Sequence, residues 1–198
     1  MTANVRLSAE ELKLVSDPAW ILTKNSIIRK VVEMFAALSA EWRVLAPAPA
    51  DVFPGGEATA AWEPKISKGE NYKGLPWVML DYPRIFGKED MLAIRTMFWW
   101  GQAFSMTLHL KGKYMRLFVP VILRRREELA AAGFRAGISE EEWDHAHTEA
   151  TYRSLEEDIP AGQSFFKISA CCGLEQWNEA PAILTGYFSA LLRVLAKE

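Results

Sequence analysis

Residues 94 to 110, IRTMFWWGQAFSMTLHL, place polar chemistry inside an aromatic run. Arg95 can clamp an anion with two parallel N–H donors, Trp99 offers a stacking plane, and His109 can exchange a proton near neutral pH. Side chains alternate faces along a strand, so the turn between the two halves decides which of these groups meet. A three-residue loop at Gly101-Gln102-Ala103 pairs Trp100 with Phe104, Phe98 with Met106, Thr96 with Leu108 and Ile94 with Leu110 on an apolar face. The other face then pairs Trp99 with Ser105, Met97 with Thr107 and Arg95 with His109. A two-residue loop would set Arg95 opposite Leu108 and scatter the polar groups. The first register is therefore expected, and it gathers a surface suited to an anionic or flat ligand.

The preceding strand-like run, LPWVMLDYPRIF, adds Asp81 and Arg84. A carboxylate among aromatic residues either pairs with an arginine or has a raised pKa. Pairing of Asp81 with Arg95 or Arg84 is the economical structural solution, and a general base at Asp81 is the functional one. The other two histidines stand in EEEWDHAHTEATY. On a helix His145 and His147 point apart, while Glu141, His145 and Glu149 share a face. Glu142 to His145 is half of a di-iron helix signature, whose second copy is missing, so no metal is expected. No cofactor motif is present: SKGENYKGLP has two glycines but neither phosphate-loop nor dinucleotide spacing. Cys171 and Cys172 are adjacent, which disfavours a bridge between them and reads as two reduced thiols in a cytoplasmic protein. No Gly-x-Ser-x-Gly elbow supports a serine hydrolase.

These residues allow three functional readings. The first is a small-molecule binding module with a pocket formed by Arg95, His109, Thr107, Trp99, Asp81 and Arg84. The second is an enzyme in which His109 and Asp81 carry acid–base chemistry and Arg95 clamps an anion. The third is a homo-oligomeric scaffold, a homodimer in the simplest case, that meets itself through a tryptophan-rich face; the chain has eight tryptophans. A nucleic-acid surface is disfavoured by a net charge of -2. No apolar run reaches the ~18 residues of a membrane span, and the N-terminus lacks a secretory signal, so neither a membrane nor export is expected.

The elements that must position these groups are legible from periodicity. Ser8 followed by Glu11 opens a short helix, and Asp17-Pro18 opens a second, with apolar residues from Ile21 to Trp42 at three- and four-residue intervals. Residues 46–58 break this pattern with three prolines and two glycines. TAAWEPKI, LPWVMLDYP, MLAIRTMFWWG and FSMTLHL then read as antiparallel strands separated by SKGENYKG, RIFGKED and GQA. KYMRLFVPVILRRREELAAAG reads as a helix with Pro120 in its first turns and Gly133 as its stop; a strand before Pro120 is the alternative. FRAGI and SFFKISACC read as strands, SEEEWDHAHTEATYRSLEED as a helix, and residues 174–197 as a closing amphipathic helix. The expectation is one α+β domain over 1–198: a helical segment 1–46, the loop 46–58, and a sheet-forming core 58–172 with about five or six antiparallel strands, followed by the C-terminal helix.

Overall fold

The computed structural model describes residues 5–46, 63–157 and 163–195. Most of the loop 46–58, the beginning of TAAWEPKI and the end of the C-terminal helix lie outside the described residues. The architecture is α+β, an antiparallel sheet flanked by N-terminal and C-terminal helices.

Helix α1 (Ala9–Val15) is opened by the Ser8/Glu11 capping box, with the Glu11 amide donating to Ser8 Oγ and the Ser8 amide donating to Glu11. Asp17 caps α2 (Pro18–Leu45) by accepting the Ala19 amide. Strands β1 (Lys65–Tyr72), β2 (Leu75–Phe86), β3 (Met91–Trp99) and β4 (Ala103–Lys111) form a meander. Helices α3 (Gly112–Arg124) and α4 (Arg126–Ala131) follow, then two short strands, β5 (Arg135–Gly137) and β6 (Tyr152–Ser154). Strand β7 (Phe165–Gly173) and helix α5 (Ala180–Leu195) complete the chain. The seven strands pair antiparallel in the order β1-β2-β3-β4-β7-β5-β6; β5 stands in the expected strand FRAGI, and the short β6 is an addition to the expected sheet.

Period-two alternation gives this sheet two unlike faces. Val78, Leu80, Ile94, Phe98, Phe104, Met106, Leu108, Ile168 and Ala170 face the helices and form one core with Ile28, Val31, Phe35, Leu38 and Trp42 of α2 and Leu184, Phe188 and Leu191 of α5. The centre of that layer is the Trp42 ring, stacked 4.4 Å from Phe188, with Nε1 donating to Thr185 Oγ1 at 3.0 Å. Complete burial of an aromatic or aliphatic side chain of this size contributes roughly 1.5–3 kcal/mol, so this face carries the stability of the sheet.

Four sequence expectations are corrected. The turn before β2 is only Lys73-Gly74, both with positive φ (48° and 83°) as a tight two-residue hairpin turn requires, so β1 runs through most of SKGENYKG. The β3–β4 loop has three residues as expected but is Trp100-Gly101-Gln102, with Gly101 at φ 69°. Arg95 therefore opposes Thr107, and His109 opposes Ala93. Moving a loop of the same length by one position shifts the pairing by two residues and leaves every side chain on its expected face. Arg95 and His109 thus share one face of the sheet. Pro120 lies in the interior of α3 rather than its first turns, on the solvent side, where water can take the carbonyl it leaves unbonded. Finally, SEEEWDHAHTEATYRSLEED forms no helix: residues 138–151 are irregular and 152–154 are β6.

Candidate functional site: a buried polar layer

The second face of the sheet is polar at its centre. It carries Asp81 from β2, Arg95, Met97 and Trp99 from β3, Ser105, Thr107 and His109 from β4, and Lys167, Ser169 and Cys171 from β7. The irregular segment 138–151 lies over it and brings Glu142, Asp144, His145 and His147. Asp144, His145 and Ala146 are buried in succession, which no amphipathic surface helix permits. All three histidines of the chain meet in this layer.

The segment follows this path because side chains supply the hydrogen bonds that a helix would have supplied. Lys167 Nζ donates to the carbonyls of Asp144 at 2.7 Å and Glu142 at 3.0 Å. The His145 amide donates to Tyr72 Oη at 2.7 Å, and the Ala146 amide to Asp144 Oδ1 at 3.0 Å. Asp144 Oδ1 also accepts from Lys73 Nζ at 2.8 Å and from the Tyr72 hydroxyl at 3.1 Å. Burial opposes the Asp144 carboxylate, but these donors outweigh it and hold the group below its ordinary pKa. Arg135 donates bidentately to Glu149 at the far end of the segment, at 3.0 and 2.8 Å.

Arg95 is committed within the protein. Its Nε donates to Asp81 Oδ1 at 2.7 Å, and both side chains are largely buried. The guanidinium lies 5.1 Å from the Trp143 ring centroid and 5.5 Å from that of Phe86, within cation–π reach. Its Nη1 is 3.4 Å from His145 Nε2, and since arginine only donates, that nitrogen is the acceptor. Thr107 Oγ1 and Ser169 Oγ are 2.8 Å apart, and Ser169 Oγ is also 2.8 Å from His147 Nε2. Ser169 gives its one proton to the Met106 carbonyl at 3.1 Å, so Thr107 and His147 Nε2–H must be its donors. The Tyr152 ring stacks on His147 at 4.3 Å.

His109 is fully buried between the rings of Trp143 and Phe165, at 5.3 and 5.7 Å. Glu142 Oε1 lies 3.4 Å from Nε2, near enough for an ion pair with a charged ring, but burial keeps the ring neutral and no hydrogen bond forms. Burial, reinforced by the charges of Lys167 and Arg95, lowers His109 to a pKa of about 2. Burial and the same two cations lower His145 to about 3; burial, Arg135 and Lys167 lower His147 to about 4. Burial lowers Lys167 to about 8 despite the carboxylates of Asp144 and Glu142 nearby. At neutral pH the three imidazoles are uncharged hydrogen-bonding groups with pKa values too low for efficient proton transfer.

The layer opens at one end. Met97, Trp99, Gln102, Ala103, Ser105, His145, His147 and Cys171 line a cavity of about 170 Å³. Trp99 brings a buried Nε1–H that has no acceptor among the described residues, and its ring meets Tyr72 edge to face at 5.0 Å. Cys171 is an exposed free thiol whose pKa burial of its sulfur raises, and burial pushes Cys172 up to about 11. Both are protonated at neutral pH, which removes the nucleophilic form.

Of the residues singled out from sequence, Arg95, Asp81, His109, Thr107 and Trp99 come together in this layer. Arg84 does not join them: beyond a bulge in β2, its Nε donates to the Glu63 carbonyl at 3.1 Å. Asp81 bonds Arg95 rather than His109, and Glu141, His145 and Glu149 share no helical face. Lys167, Ser169, Tyr72, Tyr152 and Asp144 were missed. For the first two a signal existed, since alternation in SFFKISACC places Lys167, Ser169 and Cys171 on one side and Phe166, Ile168 and Ala170 on the other. Among the described residues no group of three or more His, Cys, Asp or Glu side chains is arranged to hold a metal ion. Nor is any described helix long and apolar enough to cross a membrane. Comparison with known proteins finds no matching family model, no matching curated protein and no matching solved structure.

Proposed function

We propose that this chain is a small-molecule binding module whose ligand occupies the cavity between Trp99, Ser105, His145 and His147. The observation that carries this reading is the Trp99 Nε1–H, a buried donor on a cavity-lining residue that has no acceptor among the described residues. An orphaned buried donor costs free energy that a ligand acceptor would recover. A volume of about 170 Å³ is below the range of drug-sized sites, so the ligand is small. The positive charges of Arg95 and Lys167, which already disfavour protonation of the histidines, favour an anionic acceptor. A compact planar carboxylate fits: its oxygens face Trp99 and Ser105, and its body rests against Met97 and Ala103. Arg95 then acts through its field, because Asp81 takes its Nε–H, His145 faces its Nη1, and the rings of Trp143 and Phe86 lie against it.

An acid–base role for His109 and Asp81 draws no support from this geometry, given the neutral, ring-enclosed imidazole and the arginine-bound carboxylate. Isothermal titration with benzoate and with benzamide, equal in shape but different in charge, tests the binding reading. Benzoate should bind more tightly, and Trp99→Phe, which keeps a ring and removes the N–H, should weaken it about tenfold to a hundredfold. Equal binding by Trp99→Phe, or no binding of either probe, would remove the proposal.

A further inference from the structure

We infer that the N-terminal arm, α1 and the first turns of α2, is the surface through which two copies of this chain pair. Every described residue from Val5 to Thr23 is exposed, and α2 begins to bury side chains only at Ile28. Along this arm eight large apolar side chains, from Val5 to Leu22, remain 41% to 85% exposed. Trp20, Ile21 and Leu22 are consecutive and so point around more than one side of α2. A helix that is apolar on several sides requires cover on several sides. Helix α1 has seven residues and buries none of them, whereas isolated helices below ~12 residues are marginal in water. In the elbow between the two helices lies a groove of about 690 Å³, lined by Leu7, Leu14, Val15, Trp20 and Ile21.

The occupant is argued from area and charge. At ~150 Å² per fully exposed large side chain, the arm offers on the order of 700 Å² of apolar surface. A standard interface buries about 800 Å² per partner, so two arms laid together supply nearly a full interface without help from the body. The arm carries Arg6 and Lys13 against Glu10, Glu11 and Asp17, which is three acidic groups to two basic. That near-neutral mixture does not repel its own copy, and it lacks the basic polar face with which interfacial helices bind anionic lipid. In a two-fold arrangement the apolar shoulder of one arm, Trp20 to Leu22, fills the elbow groove of the other. This surface is separate from the polar layer and does not depend on the ligand proposed there.

Sedimentation equilibrium of the full chain should give the mass of two chains at micromolar concentration. Leu14→Glu combined with Ile21→Glu should weaken self-association by about a hundredfold, since each copy would then bury two unpaired charges. Its melting curve at low concentration should match that of the dissociated wild type, because both positions are exposed in one chain. A monomeric wild type would overturn the inference, as would a double variant that stays dimeric. Trp143→Ser, on the half-exposed edge of the polar layer, should leave the dimer intact. Loss of the dimer in that variant would place the interface elsewhere and sink the proposal. So would a wild type that sediments with phosphatidylcholine/phosphatidylserine vesicles as a monomer, which would make the arm a lipid-binding surface.

Discussion

Mild acid should destabilise this protein far more steeply than its carboxylates alone would allow. In the unfolded chain each histidine titrates near 6.5. In the folded chain burial and nearby cations hold His109, His145 and His147 at about 2, 3 and 4. Between pH 6.5 and 4 the unfolded chain therefore binds up to three more protons than the folded chain. Stability rises with pH in that window; it is fully present above 6.5 and lost as pH falls toward 4. Each histidine contributes up to about 1.4 kcal/mol per pH unit, so the three together reach about 4 kcal/mol per unit. Summed from pH 7 to pH 5 the loss is about 6 kcal/mol, comparable with the whole stability of a small domain. Urea unfolding at fixed temperature, with the midpoint followed from pH 7.5 to 5, measures it directly. His147→Gln should keep the hydrogen bond to Ser169 and remove about one third of the slope. A slope no larger than that of one histidine would show that water or a charge partner stabilises the imidazolium forms, and burial would not hold the three imidazoles neutral.

Arg95→Ala strands the Asp81 carboxylate among buried neighbours and should cost about 3–5 kcal/mol in an apo thermal melt, with Arg95→Lys recovering only part. A near-neutral melt would return Arg95 to the role of a free anion clamp. Lys167→Met removes the donor to the Glu142 and Asp144 carbonyls, and amide hydrogen exchange across 138–151 should accelerate by about tenfold or more while β3 and β4 stay protected. Unchanged exchange in the segment would mean that Tyr72 and Arg135 suffice to hold it.

How much of this was legible in the sequence depended on the range of the interaction that decided each feature. The Ser8/Glu11 box and the Asp17-Pro18 start are settled within four residues, and both helices begin where those signals stand. The two faces of the β3–β4 hairpin follow from period-two alternation and survive a displaced loop, because moving a three-residue loop by one position preserves parity. The segment 138–151 failed for the opposite reason. Ser139 accepts the Glu141 amide just as a helix start would, and the acidic first turn suits the helix dipole. What prevents the helix is Lys167, more than twenty residues further on, which takes the carbonyls of Glu142 and Asp144 that a helix would have bonded internally. That interaction becomes available only once β7 has joined β4 and carried Lys167 beneath the segment. A lysine alternating with phenylalanine, isoleucine and alanine was the visible hint. A strand that sends a cation toward one face, while its other face is wholly apolar, requires backbone or carboxylate oxygen on the cationic side. Between β5 and β7 the segment 138–151 supplies that oxygen, so the lysine and the unformed helix are one fact: the segment gives up its own ladder to solvate a buried charge, and in doing so brings His145 and His147 onto the sheet.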